Sequence, residues 1–365
     1  MTWISREKYF ASRKTEYDSN PTVVAVYFKN GLGNFIMFTP AIQALAELYQ
    51  SKVDIILDKN WNDSRTDGIK EFCEHWPLID NVIIFQNGFD KSKYKIMFYS
   101  RHGEASEAFE YFRIHSTMEP KHINWRAEKL HEVDYYMNEV RDLGYMGETP
   151  KQYCVPGTFA GRLMEIDILR PNEYLRLGIC NGFFAGSEKW KWERKGWPHF
   201  EELLDLIQDY YSGRLTIFLF GKGEVEREWA DKLVEGRKNI FSFVDRLELC
   251  ATIQIMRRMH LFITTDTGLM HVADALGKAT IALFGPTLLS KNSPLGDSTR
   301  VLRSAIPCAP CQQSPYFNMC KEWRCMGSLT PDIVMAELRL ATWDLVREKK
   351  LMTRAGGEEI KSCLL

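Results

Sequence analysis

The sequence lacks any long apolar run. No stretch approaches the ~18 consecutive apolar residues that a membrane-spanning helix needs, and the first twenty residues contain no continuous apolar core of a secretory signal. Net charge is also nearly absent, at −1 from 47 basic and 48 acidic residues, so no overall field attracts nucleic acid or an anionic membrane. These absences predict a cytoplasmic protein without a transmembrane segment or a nucleic-acid partner; peripheral membrane contact stays open.

The length and composition favour two globular domains. The chain has 365 residues, more than one hydrophobic core normally supports, and 45% of them are hydrophobic. We predict an N-terminal domain over residues 1–170, a C-terminal domain over 171–345 and a C-terminal tail over 346–365. A chain of this size is long enough to build a ligand-binding cleft between two domains.

Short apolar runs typical of buried strands alternate with helical periodicity in both halves of the chain. This alternation predicts an α/β fold in which two Rossmann-like domains, each with a mainly parallel sheet, face each other across a cleft. We expect Pro40 to kink the first helix or to change where its first turn lies, because proline removes a backbone donor. Ligands of such sheets bind beyond the carboxyl ends of the strands, so the loops directly after strands are candidate sites. The predicted strands are Thr22–Phe28, Val53–Leu57, Val82–Phe85, Ile96–Tyr99, Tyr174–Cys180, Leu215–Phe220, His260–Thr264 and Thr280–Phe284.

One such loop follows the predicted strand that ends at Thr264. It leads straight into a helix, whose first backbone amides are unpaired and carry the positive end of the helix dipole. Thr267 can add a hydroxyl donor, Gly268 allows close approach of a phosphate, and His271 lies one turn further on. The pattern therefore favours an anion site, although Asp266 or Thr267 acting only as a helix cap would explain the same residues.

The segment Ile263–Thr287, ITTDTGLMHVADALGKATIALFGPT, resembles the characteristic segment of the heptosyltransferases that use ADP-heptose. The sequence KGWP at Lys195–Pro198 and the helix pattern at His131–Tyr145 are also similar to that family. The resemblance implies the GT-B architecture and inverting transfer of a sugar, expected to be heptose, from a nucleoside-diphosphate sugar to a hydroxyl acceptor. It implies no cofactor for the chemistry.

The same resemblance implies roles for individual residues. Asp266, Thr267, Gly268 and His271 would hold the ribose and diphosphate of the donor. Lys195 would neutralise a phosphate, unless the basic run around it is simply solvated. Glu224 and Glu226 compete for contact with the nucleoside, and Glu224 is our choice; an ordinary exposed helix start is the alternative for both. The donor-binding residues that we predict are Asp266, Thr267, Gly268, His271, Lys195 and Glu224.

A second loop, after the first strand, departs from the family pattern. Gly31 and Gly33 permit a tight turn and close ligand approach, and we expect this loop to face the cleft. Related enzymes usually have an aspartate directly after the second glycine, assigned as the general base, whereas this chain has Asn34. An amide cannot take up a proton at neutral pH, so Asn34 is retained as an acceptor-side contact in the catalytic position. Substitute bases considered from the sequence are Asp58, His102 and Glu104.

Four of the nine cysteines form a C-x2-C-x8-C-x4-C cluster. Four thiolates at this spacing can close a tetrahedral site, so we expect a structural iron or zinc ion that plays no part in the chemistry. Some relatives of the resembled family contain a similar cluster and iron. Disulfides and free thiols are the alternatives. The predicted metal ligands are Cys308, Cys311, Cys320 and Cys325.

These observations favour a glycosyltransferase whose partners are a nucleotide-sugar donor, with ADP-heptose as the expected one, and a glycan or protein acceptor, such as a sugar of the lipopolysaccharide core. Two other functions stay open. Asn34 is compatible with a catalytically silent sugar-nucleotide-binding protein. The same architecture also serves sugar-nucleotide epimerases, which need no acceptor.

Overall fold

The structure, a computed structural model, divides the chain into two compact units, Met1–Gly161 and Arg162–Leu365. The predicted domain boundary at residue 170 falls in a stretch outside the described residues. No helix in the described part of the chain is long and apolar enough to cross a membrane. The structure describes residues 16–57, 64–85, 90, 92–99, 130–154, 175–182, 192–312, 314 and 316–347.

The first unit is built around a sheet of four parallel strands in the order β3-β2-β1-β4. Every residue of β1 and β2 is buried, as expected for strands of a parallel sheet covered on both faces. The strands are β1 (Val24–Phe28), β2 (Val53–Leu57), β3 (Ile79–Ile84) and β4 (Ile96–Tyr99), and the helices are α1 (Leu32–Tyr49), α2 (Ser64–Glu74) and α3 (Glu132–Asp142).

Pro40 does not interrupt α1, which runs unbroken from Leu32 to Tyr49. Proline cannot donate to the carbonyl four residues earlier, which belongs to Ile36. The hydroxyl of Thr39 donates to that carbonyl instead, at 2.7 Å. Pro40 therefore does not mark the first turn of α1, and the preceding side chain satisfies the carbonyl that the ring leaves without its usual donor. The expected kink stays a prediction.

The second unit contains six parallel strands in the order β10-β9-β8-β5-β6-β7. Its strands are β5 (Leu175–Cys180), β6 (Leu215–Phe220), β7 (Ile240–Ser242), β8 (Leu261–Thr265), β9 (Ala279–Phe284) and β10 (Thr299–Arg303). Its α-helices are α4 (Phe200–Tyr211), α5 (Glu224–Val234), α6 (Leu249–Met256), α7 (Gly268–Ala275), α8 (Leu289–Asn292), α9 (Tyr316–Met319), α10 (Arg324–Gly327) and α11 (Pro331–Arg347), and Trp192–Lys195 forms a 3₁₀ turn.

The strand order fixes where the candidate loops meet. In the second unit β5 lies beside β8, with Cys180 opposite Thr264, so the chain leaves these neighbouring strands at the same edge of the sheet. The order of strands reverses at this point, which is where open parallel sheets bind ligands. In the first unit the equivalent reversal lies between β1 and β4.

The α/β fold with two parallel sheets is confirmed, and strands β2, β4 and β6 have the predicted limits. The elements that the sequence did not reveal include β10 and α11. β10 lies at the end of its sheet and carries exposed and half-buried residues in place of a continuous apolar run. Periodicity is a weak indicator for such an edge strand.

Candidate functional site

The loop after β8 forms the centre of the candidate donor site. Thr265 ends the strand fully buried, and the side chain of Asp266 is almost completely buried beside it. Thr267 is the N-cap of α7, where its hydroxyl oxygen accepts a hydrogen bond from the amide of Met270 at 3.3 Å. The hydroxyl proton of Thr267 can still be donated, and the amides of the first turn point out of the helix.

Lys195 and Asp266 lie together although 71 residues separate them in the sequence. The Lys195 ammonium is 3.5 Å from Asp266 Oδ2, and the two side chains are only 18% and 6% exposed. The structure thus brings a largely buried cation to the N-terminus of α7. A cation and a helix N-terminus both attract anions, while Asp266 balances the charge of Lys195 in the absence of one.

Asn181, at the end of β5, holds the segment that carries Lys195. The amide of Asn181 donates to the carbonyl of Trp197 at 3.1 Å and accepts from the backbone N–H of Trp197 at 2.8 Å. Both residues are buried, and the indole of Trp197 donates to the carbonyl of Leu329 at 2.8 Å. Sequence reasoning missed Asn181, although a polar residue directly after a buried strand was an available indication.

The loops after β5 and β8 interlock next to this contact. The backbone N–H of Gly182 donates to Thr265 Oγ1 at 3.0 Å. A Cβ atom on Gly182 would overlap the methyl group of Thr267, so the loop requires a glycine for close approach. His271 follows in the first turns of α7, four residues after Thr267, and is almost fully buried. Five of the residues predicted to bind the donor, Lys195, Asp266, Thr267, Gly268 and His271, are therefore grouped at one edge of the sheet.

The structure favours Glu226 over Glu224 for contact with the loop after β6. The side chain of Glu224 is 76% exposed and pairs with Arg227 at 3.5 Å. Glu226 is buried, accepts a hydrogen bond from the backbone N–H of Lys222 at 3.0 Å, and would overlap a Cβ atom on Gly221. The carboxylate that lies against the loop is that of Glu226, and the role of Glu224 stays a prediction.

In the first unit, Gly31 is the N-cap of α1, and Gly33 and Asn34 already belong to the first turn of the helix. Gly31 has an ordinary negative φ, and the position of a Cβ atom on it is open space. Among the described residues of this unit nothing requires a glycine there, and a side chain at Gly31 would occupy space next to the loop.

Asn34 contacts a buried carboxylate that the sequence analysis did not identify. Its Nδ2 donates to Glu132 Oε2 at 2.9 Å, and Glu132 is 2% exposed. Ninety-eight residues separate this pair, and the spacing of the residues gives no indication of it. The substitute bases that we considered from the sequence, Asp58, His102 and Glu104, lie outside the described residues.

The cysteine cluster packs against the loop after β9. The amides of Cys311 and Gln312 donate to the carbonyl of Pro286 at 3.0 and 2.9 Å, and Gly285 lies directly against Cys325. Burial raises the pKa of the Cys325 thiol to about 11, and the charges of the other three clustered cysteines act in the same direction. The four thiols are therefore close enough to interact electrostatically.

The four cysteines, all within the described residues, form neither a disulfide nor a metal site. All four thiols are free, and in the portion of the chain that the structure describes no group of three or more His, Cys, Asp or Glu side chains is arranged to hold a metal ion. The structural iron or zinc stays a prediction.

Known proteins are similar to the chain over the residues that form the candidate donor site. Residues 180–321 match the family model of glycosyltransferase family 9 (heptosyltransferase). A lipooligosaccharide heptosyltransferase 2 of Campylobacter jejuni is 21% identical over 337 residues, which are 87% of this chain and 97% of the relative.

Solved structures of low identity share the fold. A glycosyl transferase family 9 protein from Veillonella parvula has a TM-score of 0.67, with 19% identity over 91% of this chain and 99% of its own. The Escherichia coli ADP-heptose lps heptosyltransferase II has a TM-score of 0.63, with 17% identity over 88% and 99%. The iron-containing dodecameric glycosyltransferase TibC of enterotoxigenic Escherichia coli has a TM-score of 0.57, with 13% identity over 89% and 77%.

The fold is the α/β arrangement named GT-B, and the sequence matches support a glycosyltransferase. Within that class it is heptosyltransferase-like, and the resemblance carried by Ile263–Thr287 is confirmed.

Proposed function

We propose that this chain is an inverting glycosyltransferase that transfers heptose from ADP-heptose to a hydroxyl group of a lipopolysaccharide-type glycan. The observation that carries the proposal is the grouping of Lys195 and Asp266 with the N-terminus of α7. The identity of donor and acceptor rests on the relatives, whose names include ADP-heptose and lipooligosaccharide.

The donor's diphosphate would bind where the amides of Gly268 and the following residue, the hydroxyl of Thr267 and the ammonium of Lys195 converge. When the bond between the sugar and the diphosphate breaks, negative charge accumulates on the leaving nucleoside diphosphate. Donors fixed in place before the reaction stabilise this charge without a metal ion in the chemical step. His271 would donate to a diphosphate oxygen, and Asp266 would hold Lys195 and accept from a ribose hydroxyl.

The nucleoside would lie beside the loop after β6. Strand β6 is the neighbour of β5, so this loop belongs to the same edge of the sheet as the phosphate group. A buried carboxylate is a suitable acceptor for the two hydroxyl groups of a ribose, and Glu226 lies against this loop. Glu224 is too exposed to hold a ligand rigidly, so we propose Glu226 for this role.

The experiment is sugar transfer from ADP-heptose to lipopolysaccharide isolated from a strain that cannot add heptose. We expect product with the wild-type chain and weaker ADP binding, by about tenfold or more, in Asp266→Ala and His271→Ala, since each loses a hydrogen bond to a charged ligand. The exposed Asp297, in the same unit, provides a matched control as Asp297→Ala. Unchanged ADP affinity in both site variants would refute the donor-site assignment.

A sugar-nucleotide-binding protein without catalytic activity is the second candidate, favoured by Asn34 in the position of a base. It predicts ADP-heptose binding with the affinity of an enzyme but no transfer to any hydroxyl acceptor. Transfer by the wild-type chain would eliminate it.

A structural iron or zinc ion at the cysteine cluster also remains our proposal, supported by the four-thiol donor set and by the iron in TibC. The thiol positions described above would have to move to close around an ion. No step of the reaction is therefore derived through a metal.

A further inference from the structure

Transfer to a hydroxyl group, as proposed above, requires a group that accepts the hydroxyl proton. The side-chain amide of Asn34 has no basic lone pair at neutral pH and cannot do so. The inference below rests on the proposed function and identifies the residue that takes this proton.

Glu132 is the first residue of α3, and its carboxylate is buried against the first turn of α1. Glu132 Oε2 accepts from Asn34 Nδ2 at 2.9 Å, while Glu132 Oε1 accepts from the hydroxyl of Tyr136 at 3.4 Å.

The other buried carboxylate in the described part of the first unit, that of Asp54, lies at a different place in the sheet. Asp54 pairs with the ammonium of Lys93 at 2.7 Å and also accepts from the hydroxyl of Tyr94 and the amide of Asn81. It lies near the amino end of β2, whereas Asn34 and Glu132 lie where the chain leaves the carboxyl end of β1. Ligands of parallel sheets bind at the carboxyl end, which singles out Glu132.

Asn30 gives an independent indication that this part of the first unit can bind a polar ligand. It follows β1 directly and is 8% exposed, and within the described residues its Nδ2 has no hydrogen-bond partner. A buried amide without an acceptor is costly unless a ligand or water supplies one. A hydroxyl oxygen of an acceptor sugar is a suitable group.

We propose that Glu132 is the general base of the transfer reaction and that Asn34 holds it in place. The incoming hydroxyl donates to Glu132 Oε2 beside Asn34, directly or through one water molecule. The O–H bond breaks and its proton moves to Glu132, while the hydroxyl oxygen forms a bond to the anomeric carbon. The bond from that carbon to the diphosphate breaks, and its electron pair leaves with the nucleoside diphosphate.

The test compares Glu132→Gln with Glu139→Gln in the transfer assay with ADP-heptose and heptose-deficient lipopolysaccharide. Glu139 is a matched control because it lies on the same helix and also accepts from a tyrosine hydroxyl, that of Tyr135 at 3.2 Å. Loss of a general base lowers kcat by about 100-fold or more. We expect this loss only in Glu132→Gln, with ADP affinity and thermal unfolding close to those of the control.

A double variant distinguishes loss of the base from loss of structure. Asn34→Asp combined with Glu132→Gln places the carboxylate on the other side of the same hydrogen bond, and we expect it to recover at least about tenfold of the lost activity. The inference is overturned if Glu132→Gln keeps more than a tenth of the wild-type rate, or if the double variant is no better than Glu132→Gln. Absence of transfer by the wild-type chain would instead overturn the proposed function, and this inference with it.

Discussion

Replacement of Asn181 by alanine tests how the second unit holds Lys195. The change removes both hydrogen bonds between Asn181 and the backbone of Trp197, at 2.8 and 3.1 Å. Each buried hydrogen bond contributes about 1 kcal/mol, and leaving the N–H and carbonyl of Trp197 without partners adds to the loss. We expect Asn181→Ala to lower the free energy of unfolding by about 2–4 kcal/mol.

The same change should weaken donor binding, because Lys195 lies two residues before Trp197 and would lose its fixed position. A charge-assisted hydrogen bond to a phosphate contributes about 1.5–3 kcal/mol, so the Kd for ADP should rise by about ten- to a hundredfold. Urea unfolding followed by circular dichroism gives the first quantity, and isothermal titration calorimetry with ADP gives the second.

Two controls make the result interpretable. Gln208→Ala also removes an amide side chain of the same unit, but its hydrogen bond to Lys238 is long, at 3.5 Å, and exposed. We expect it to change the free energy of unfolding by less than about 0.5 kcal/mol. In a chain that already carries Lys195→Ala, Asn181→Ala should weaken ADP binding no further. A stability equal to wild type, or an undiminished effect on ADP binding in the Lys195→Ala background, would refute the reasoning.

Three further changes test other parts of the second unit. Gly182→Ala should raise the Kd for ADP at least about tenfold, because the new methyl group overlaps Thr267; calorimetry that shows wild-type affinity would contradict this. Cys308→Ser should lower the iron or zinc content measured by mass spectrometry if the cluster binds metal, and equal content would end that prediction. Burial lowers the pKa of His260 to about 4, below its ordinary value of 6.5, so the unfolded chain takes up the proton first and stability falls between pH 6.5 and 4. His260→Asn keeps an acceptor for the backbone N–H of Arg176 and should remove about 2 kcal/mol of this loss, after allowance for partial exposure, as measured by urea unfolding at pH 7 and pH 4.

The donor loop was predictable because its parts are local. A buried strand, a cap and a helix follow one another within residues 261–275, so the direction of the first amides of α7 follows from the order of residues alone. The continuation of α1 through Pro40 was predictable for the same reason, since the hydroxyl that replaces the missing backbone donor belongs to the adjacent Thr39.

The choice between Glu224 and Glu226 needed information that the sequence does not contain. Side chains two residues apart on an α-helix point in directions about 200° apart, so one of the two carboxylates faces the protein when the other faces solvent. Both lie in the first turn of α5, where an acidic residue is favourable whichever way it points. Only the packing of α5 against the loop after β6 decides which is buried.

Asn34 is the opposite case, because the residues around it in the sequence do not reveal the carboxylate that it contacts. Taken with its neighbours, it indicates the loss of a carboxylate from the loop after β1. The chain, however, returns 98 residues later to bring Glu132 within 2.9 Å of the same side chain. A hydroxyl that reaches Asn34 is one hydrogen bond away from a carboxylate, so the chemistry needs no charge at position 34. If that account holds, Asn34→Asp alone would place two carboxylates within hydrogen-bond distance, and one of them would have to keep a proton at neutral pH. Adding the missing aspartate should therefore not increase the rate of transfer.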